Sequence, residues 1–262
     1  MKIIGVIFIA IGITLFFVYS SLKRKIESLR LARPASIAEL NHLASEIALE
    51  MGVGSWRDYV KLRGTIQCDQ PLMSELKQVP CVHYHTTVVR EYEEYVTERD
   101  GDNNPITKTQ SGSETLSQHC QSVPFFLQDD TGEIWVDPEG AQIETIPVLD
   151  DFSSEQPSGR LFSDRLPLSP SLETNWQIIG FRYQESVLPV QYQVFVVAQV
   201  SDFNQSLILE NPTTKGQRFL ISLKSEGALA QSTQMSVTYA FYGMLSTLVV
   251  GVLLLILSLV SA

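Results

Sequence analysis

The feature that most constrains this chain is its last stretch, residues 237–262, which reads VTYAFYGMLSTLVVGVLLLILSLVSA. It holds no Asp, Glu, Lys, Arg, His or Pro, and the last charge before it is Glu226. As a helix it would run roughly 39 Å, enough to cross a ~30 Å hydrocarbon core with some tilt. A helix in a water-soluble core rarely goes that far without a polar face. The expectation is a transmembrane helix, with everything functional placed before it.

A second apolar run opens the chain. Residues 3–22, IIGVIFIAIGITLFFVYSSL, carry no charge. A cleaved signal peptide would have a shorter apolar core and a small-residue cut site. Here the run ends in Lys23-Arg24-Lys25 instead, so an uncleaved span is expected. Lys23, Arg24, Lys25, Arg30 and Arg33 follow the span, against Lys2 and the amino terminus before it. The positive-inside bias then puts residues 23 onward in the cytoplasm and both chain ends outside.

Between the spans the chain is polar. A net charge of −10 and a pI of about 4.9 leave no basic stripe for phosphates, which argues against nucleic acid as a partner. Cys68, Cys81 and Cys120 are an odd number without CxxC spacing and set no disulfide framework, though one pair could close. In residues 34–51, Ile37, Leu40, Ala44, Ile47 and Met51 recur at helical spacing. Ser36 with Glu39 fits a capping box, and Gly52 and Gly54 suit an ending. Glu39, Glu46 and Glu50 on the polar face favour a strut against the next domain over a helix lying on lipid.

From Trp56 the period changes to two: Val60, Leu62, Ile66 and Cys68 alternate with polar residues, with Gly64 marking a bulge or close backbone approach. Residues 79–97 read as a long strand, 98–117 as a polar hairpin tip, and 118–128 as its return. Turns are expected at Asp129-Asp130-Thr131-Gly132 and Pro138-Glu139-Gly140. Residues 150–175 read as a loop, and 176–188, 191–200, 207–209 and 218–223 as further strands. The fold class expected is a membrane protein in which two transmembrane helices flank a mainly-β domain, barrel- or sandwich-like, with one short amphipathic helix.

Several motifs now fall into a familiar order. Val60-Lys61-Leu62-Arg63-Gly64-Thr65-Ile66, Pro71-Leu72 and Pro80-Cys81-Val82-His83-Tyr84 are followed by Val123-Pro124-Phe125-Phe126-Leu127-Gln128-Asp129-Asp130-Thr131-Gly132 and Val136-Asp137-Pro138-Glu139-Gly140-Ala141. Gln184-Glu185-Ser186-Val187-Leu188-Pro189, Tyr192, Val194-Phe195-Val196-Val197 and Arg218-Phe219-Leu220-Ile221-Ser222-Leu223-Lys224-Ser225-Glu226 complete the set. Together, over residues 56–226 and the flanking spans, the chain resembles the GIDE, or beside-a-membrane, domain family. That family includes mitochondrial membrane-anchored ubiquitin ligases in which a RING follows the second span. A RING needs eight Cys and His ligands for two zinc ions, and none follows here, so the resemblance is to RING-less bacterial-type relatives. Ala198 stands where the family commonly has Gly.

The resemblance implies no catalytic residue and no cofactor. One cluster stands against that. Cys81, His83 and His85 alternate along one strand and can share a face, while His119 and Cys120 lie on a neighbouring strand with one of the two able to join them. Such a set is a zinc candidate; the plainer reading is ordinary strand positions with Cys81 buried. The runs Glu91-Tyr92-Glu93-Glu94 and Asp129-Asp130 lack calcium-loop spacing and read as solvated. The function expected is a non-catalytic protein-interaction or scaffolding module at the bilayer surface, with the lipid bilayer, an unidentified protein and a homo-oligomer as its partners. The alternative is the membrane component of a ubiquitin-ligase-type system acting in protein ubiquitination and organelle organisation. Asn204-Gln205-Ser206 is a glycosylation sequon in form.

Overall fold

The computed structural model describes residues 2–52, 54, 56–99, 104–155, 176–203 and 206–260. These fall into two compact units. The first is assembled from three stretches, Met1–Gln67, Phe126–Glu144 and Gln193–Ala262, and the second from Cys68–Phe125 and Thr145–Tyr192.

In the first unit the two apolar segments form helices α1 (Lys2–Leu31) and α3 (Glu226–Val260). Both are longer than the apolar runs that seed them, because amphiphilic turns continue α1 past residue 22 and begin α3 ahead of residue 237. Both are long and apolar enough to cross a membrane, and only 11 % of each apolar window is buried. They pack antiparallel: Gly5 faces Leu255, Gly12 faces Leu248 and Thr247, Leu15 faces Gly243, and Tyr19 meets Phe241. At Gly251 a Cβ would stand 2.8 Å from Ile9 Cγ1 and 3.1 Å from both Gly5 O and Ile9 N. The bare glycine is what lets the two backbones approach.

Beyond the apolar runs the helices dock on strands of the same unit. Leu29, Ala32 and Leu229 share a cluster with Tyr59, Phe195, Val197 and Leu220. The Ser28 and Tyr59 hydroxyls bond each other, Arg218 N–H donates to both, and Tyr59 Oη donates back to Arg218 C=O at 2.7 Å. A short strand β1 (Arg33–Pro34) then runs beside β2 (Arg57–Gln67), with Arg33 paired to Asp58 and Glu39.

Helix α2 (Ile37–Met51) starts and stops on the residues the sequence marks. Ser36 Oγ accepts from Glu39 N at 3.3 Å, and Gly52 ends the helix at φ +85°. The Glu39 carboxylate reaches Arg33 rather than closing the reciprocal half of a capping box. The remaining N-terminal donors are met from 92 residues away: Ile37 N donates to Asp129 Oδ2 and Ala38 N to Thr131 Oγ1, both at 3.0 Å. The turn at Asp129 therefore serves as the cap of α2, which packs its Ile37 and Leu40 face inward as a strut.

The strands of this unit close on themselves. β2 pairs with β6 (Phe125–Asp129), which leads to β7 (Gly132–Val136), β12 (Ser206–Glu210), β11 (Gln193–Phe203) and back to β2. β13 (Leu220–Ser222) adds to β11 and β8 (Gln142–Ile143) to β13. Alternation in β2 puts Val60, Leu62 and Ile66 inside, and β11 contributes buried residues from Val194 through Val200. Ala198 among them has no exposed surface. Gly64 is a close approach: a Cβ there would lie 2.6 Å from Gln128 O.

The second unit is an open sheet, β3 (Leu72–Met73), β4 (Pro80–Arg99), β10 (Trp176–Pro189) and β9 (Ile146–Ser153), with β5 (Pro105–Ser122) on the outer side of β4. Two expectations are corrected here. The 98–117 segment is not a long tip: β4 and β5 stay paired out to Arg99↔Pro105. Alternating Thr residues and the cross-strand pairs Lys108–Glu98 and Arg90–Glu114 carry the ladder through a stretch whose Gly, Asn and Ser content reads as loop. Likewise residues 150–153 belong to β9 rather than to a loop, while 156–175, and Asn204 with Gln205 of the sequon, lie outside the described residues.

Candidate functional site

The Cys/His cluster is divided by the sheet. The register of β10 on β4 steps from Leu188↔His83 to Pro189↔Cys81, so β4 carries one residue more at that point. This bulge turns Cys81 away from the histidine face. Cys81 is fully buried with Tyr84 and Val187, and burial pushes its thiol up to about 11. The sequence-based alternation of Cys81 with His83 and His85 is therefore broken.

His83, His85 and Cys120 do share a face. Cys120 is paired opposite His85, and its Sγ lies 4.0 Å from His83 Nε2. His83 Nδ1 contacts Ser122 Oγ at 2.8 Å. Burial, together with the neighbouring His85, pushes the His83 imidazole below its usual range, so it is neutral at pH 7. His85 Nε2 instead meets Thr87 Oγ1 at 3.1 Å. His119 points to the other face, where its Nδ1 lies 3.2 Å from Glu75 and 3.4 Å from Tyr84 Oη. Among the described residues no group of three His, Cys, Asp or Glu is placed to hold a metal ion. His83 Nδ1 meets the Ser122 hydroxyl and Nε2 the Cys120 sulfur, and among the described residues neither contact is to the orienting carboxylate that activates a Cys–His nucleophile.

On the His119 side lies a residue the sequence reading did not single out for a role. Glu185 is 1 % exposed, yet its carboxylate accepts from Leu76 N at 2.7 Å, Lys77 N at 2.8 Å, Ser74 Oγ at 2.9 Å and Thr86 Oγ1 at 3.1 Å. Burial pushes this acid up, but the four donors outweigh it and hold it below the ordinary carboxylate range. Glu185 locks the turn between β3 and β4. Asp129 behaves the same way in the first unit, with burial opposed by Thr131, Ile37 and Gly132. The carboxylate of the Glu91 run is engaged too: Glu91 Oε1 accepts from Arg182 Nε at 2.7 Å.

The second unit exposes backbone. β5 has 18 residues, is exposed along nearly its whole length, and among the described residues pairs only with β4. Its outer row of N–H and C=O groups is an open edge of the kind to which an extended peptide adds as a further strand.

Comparison with known families now bears on this architecture. A family model described as GIDE: E3 ubiquitin ligase matches residues 93–256. The chain belongs to the GIDE family. The match spans the greater part of the β region and most of α3, and leaves out the opening motifs around Val60 and Cys81. Membership brings a ubiquitin-ligase-related function in the broad sense. No curated protein and no solved structure matches the chain.

Proposed function

We propose that this GIDE-family chain is a two-span membrane protein whose β region recruits or organises other proteins at the bilayer surface without itself performing chemistry. The observation that carries this reading is the pairing of two mostly unburied apolar helices with an open 18-residue strand edge. The residues of the Cys/His face fit a structural role, and elemental analysis of the purified chain is expected to find no stoichiometric zinc. The excess of Lys and Arg just after the first span favours the cytoplasmic side for the β region.

Co-purification of the full chain from membranes tests the reading. A protein partner, or a second copy, is expected to be retained, and Thr107→Lys with Thr109→Lys on the β5 edge is expected to release it, since added lysines blunt strand addition. Retention unchanged by those edge substitutions would remove β5 from the proposal. Recovery of a separate RING-type protein that transfers ubiquitin in the complex would favour the second reading, a membrane component of a ligase system. Protease protection of residues 98–117 in sealed vesicles decides the side.

A further inference from the structure

Where α1 leaves its apolar run, Lys23 and Arg24 follow Ser21 by one turn or less, and both are exposed. Arg218, on the segment leading into β13, reaches back to this level. Its Nη2 donates to Ser21 Oγ at 3.3 Å and its Nη1 to Gln142 Oε1 at 3.5 Å. Both acceptors are neutral. Among the described residues none of Lys23, Arg24 and Arg218 joins an ion pair, and Glu27, one turn further along, pairs with none of them. Lys25 by contrast has its own carboxylate, Glu144 at 4.0 Å. Burial and the adjacent Arg24 charge both push the Arg218 guanidinium below its usual range. A half-buried guanidinium beside a second cation, served among the described residues by neutral acceptors, is arranged to receive an anion.

The surroundings say which anion. On the apolar side of this cluster Tyr19 packs on Phe241 at 5.8 Å, and Tyr239 and Tyr242 are 77 % and 63 % exposed. Tyrosines in that position mark the interfacial layer of a bilayer. Phe16, Phe17 and Val18 are also exposed just below the cluster. They offer apolar surface to an acyl chain, which a free phosphate would not use.

We propose that Lys23, Arg24 and Arg218 form a binding site for the phosphate of an anionic phospholipid headgroup. The proposal rests on α1 spanning the membrane. The bound lipid would tie the segment leading into β13 at Arg218 to the end of the apolar run of α1 and set how deep the helix pair sits.

The test is native mass spectrometry of the full chain released from nanodiscs of mixed phosphatidylglycerol and phosphatidylcholine. The wild type is expected to retain phosphatidylglycerol above its share in the disc. Arg24→Gln and Arg218→Gln should each lower that enrichment by roughly five-fold, the effect of about one surface charge. Lys108→Gln, which removes a positive charge from β5, should leave it unchanged. Arg24 is exposed, so if Arg218→Gln fails to fold, Arg24→Gln decides alone. Enrichment that survives Arg24→Gln, or that falls equally with Lys108→Gln, overturns the proposal. Displacement of the retained lipid by excess inorganic phosphate overturns the lipid as occupant. Wild-type chain that stays out of the discs sinks the spanning reading itself, whereas chain that inserts but retains no preferred lipid sinks only this site.

Discussion

The closed ring of strands and the open sheet solve the same problem in opposite ways. In the ring β2, β6, β7, β12 and β11 close on one another among the described residues, and the interior is aliphatic: Val60, Ile66, Leu127, Val196 and Leu209 are all fully buried. In the open sheet the long β4–β5 ladder is polar and carries the cross-strand ion pairs Arg90–Glu114 and Lys108–Glu98, while the buried Glu185 carboxylate of β10 ties the turn between β3 and β4. The comparison teaches that one β region of this chain satisfies its strands by closing on itself, whereas the other leaves the outer edge of β5 without a partner strand among the described residues.

Four substitutions and one titration break or sharpen that contrast. The largest effect belongs to the ring. Leu127→Ala should cost about 2–5 kcal/mol, read by thermal or urea unfolding in detergent, because it leaves a cavity in a close-packed interior. In the open sheet Glu185→Ala should cost about 3 kcal/mol, since it strands two hydroxyls and two backbone N–H groups without an acceptor. An effect under about 1 kcal/mol would show that water replaces the carboxylate and that the turn is not locked. Gly251→Leu should lower stability by about 1–3 kcal/mol by forcing α1 and α3 apart, because its side chain meets the Ile9 and Gly5 backbone. Asp129→Ala should cost about 1–2 kcal/mol through loss of the α2 cap. A loss of α2 protection in hydrogen exchange would localise it.

The titration follows from the two depressed carboxylates. Glu185 and Asp129 both hold their protons less tightly when folded than when unfolded. Their stabilisation is thus complete above the unfolded value of about 4 and is lost as pH falls through the lower folded values. Stability measured downward from pH 6 should drop in the wild type and drop less steeply in Glu185→Gln. An identical acid limb in the two proteins would show that Glu185 carries no such linkage.

Much of the fold was legible from local pattern. Alternation at Val60, Leu62 and Ile66 marks β2, Ser36 and Gly52 bracket α2, and Gly64 signals the close approach that Gln128 O makes. What was not legible depends on pairing between distant residues. The bulge that removes Cys81 from the His83 face is a property of two strands in register, not of either sequence. Asp129 reads as a turn residue because its partner, the first turn of α2, lies 92 positions earlier. The β4–β5 extension was missed because Asn, Gly, Ser and Pro outweighed Thr in a local reading, whereas the ladder is set by a register with β4 that runs on to Pro105. Glu185 was visible only as one letter of a family motif, and its four donors come from two segments, the turn at Ser74, Leu76 and Lys77 and Thr86 on β4.

The first unit is interrupted twice by the second, and this has a consequence for synthesis. β11 is the strand on which β2, β12 and β13 all depend. It begins at Gln193, so a ribosome has translated most of the message before the ring has its final stave. Until then Val60 and Leu62 have no β11 to cover them, and a nascent chain stalled at Tyr192 presents a sticky, half-finished surface.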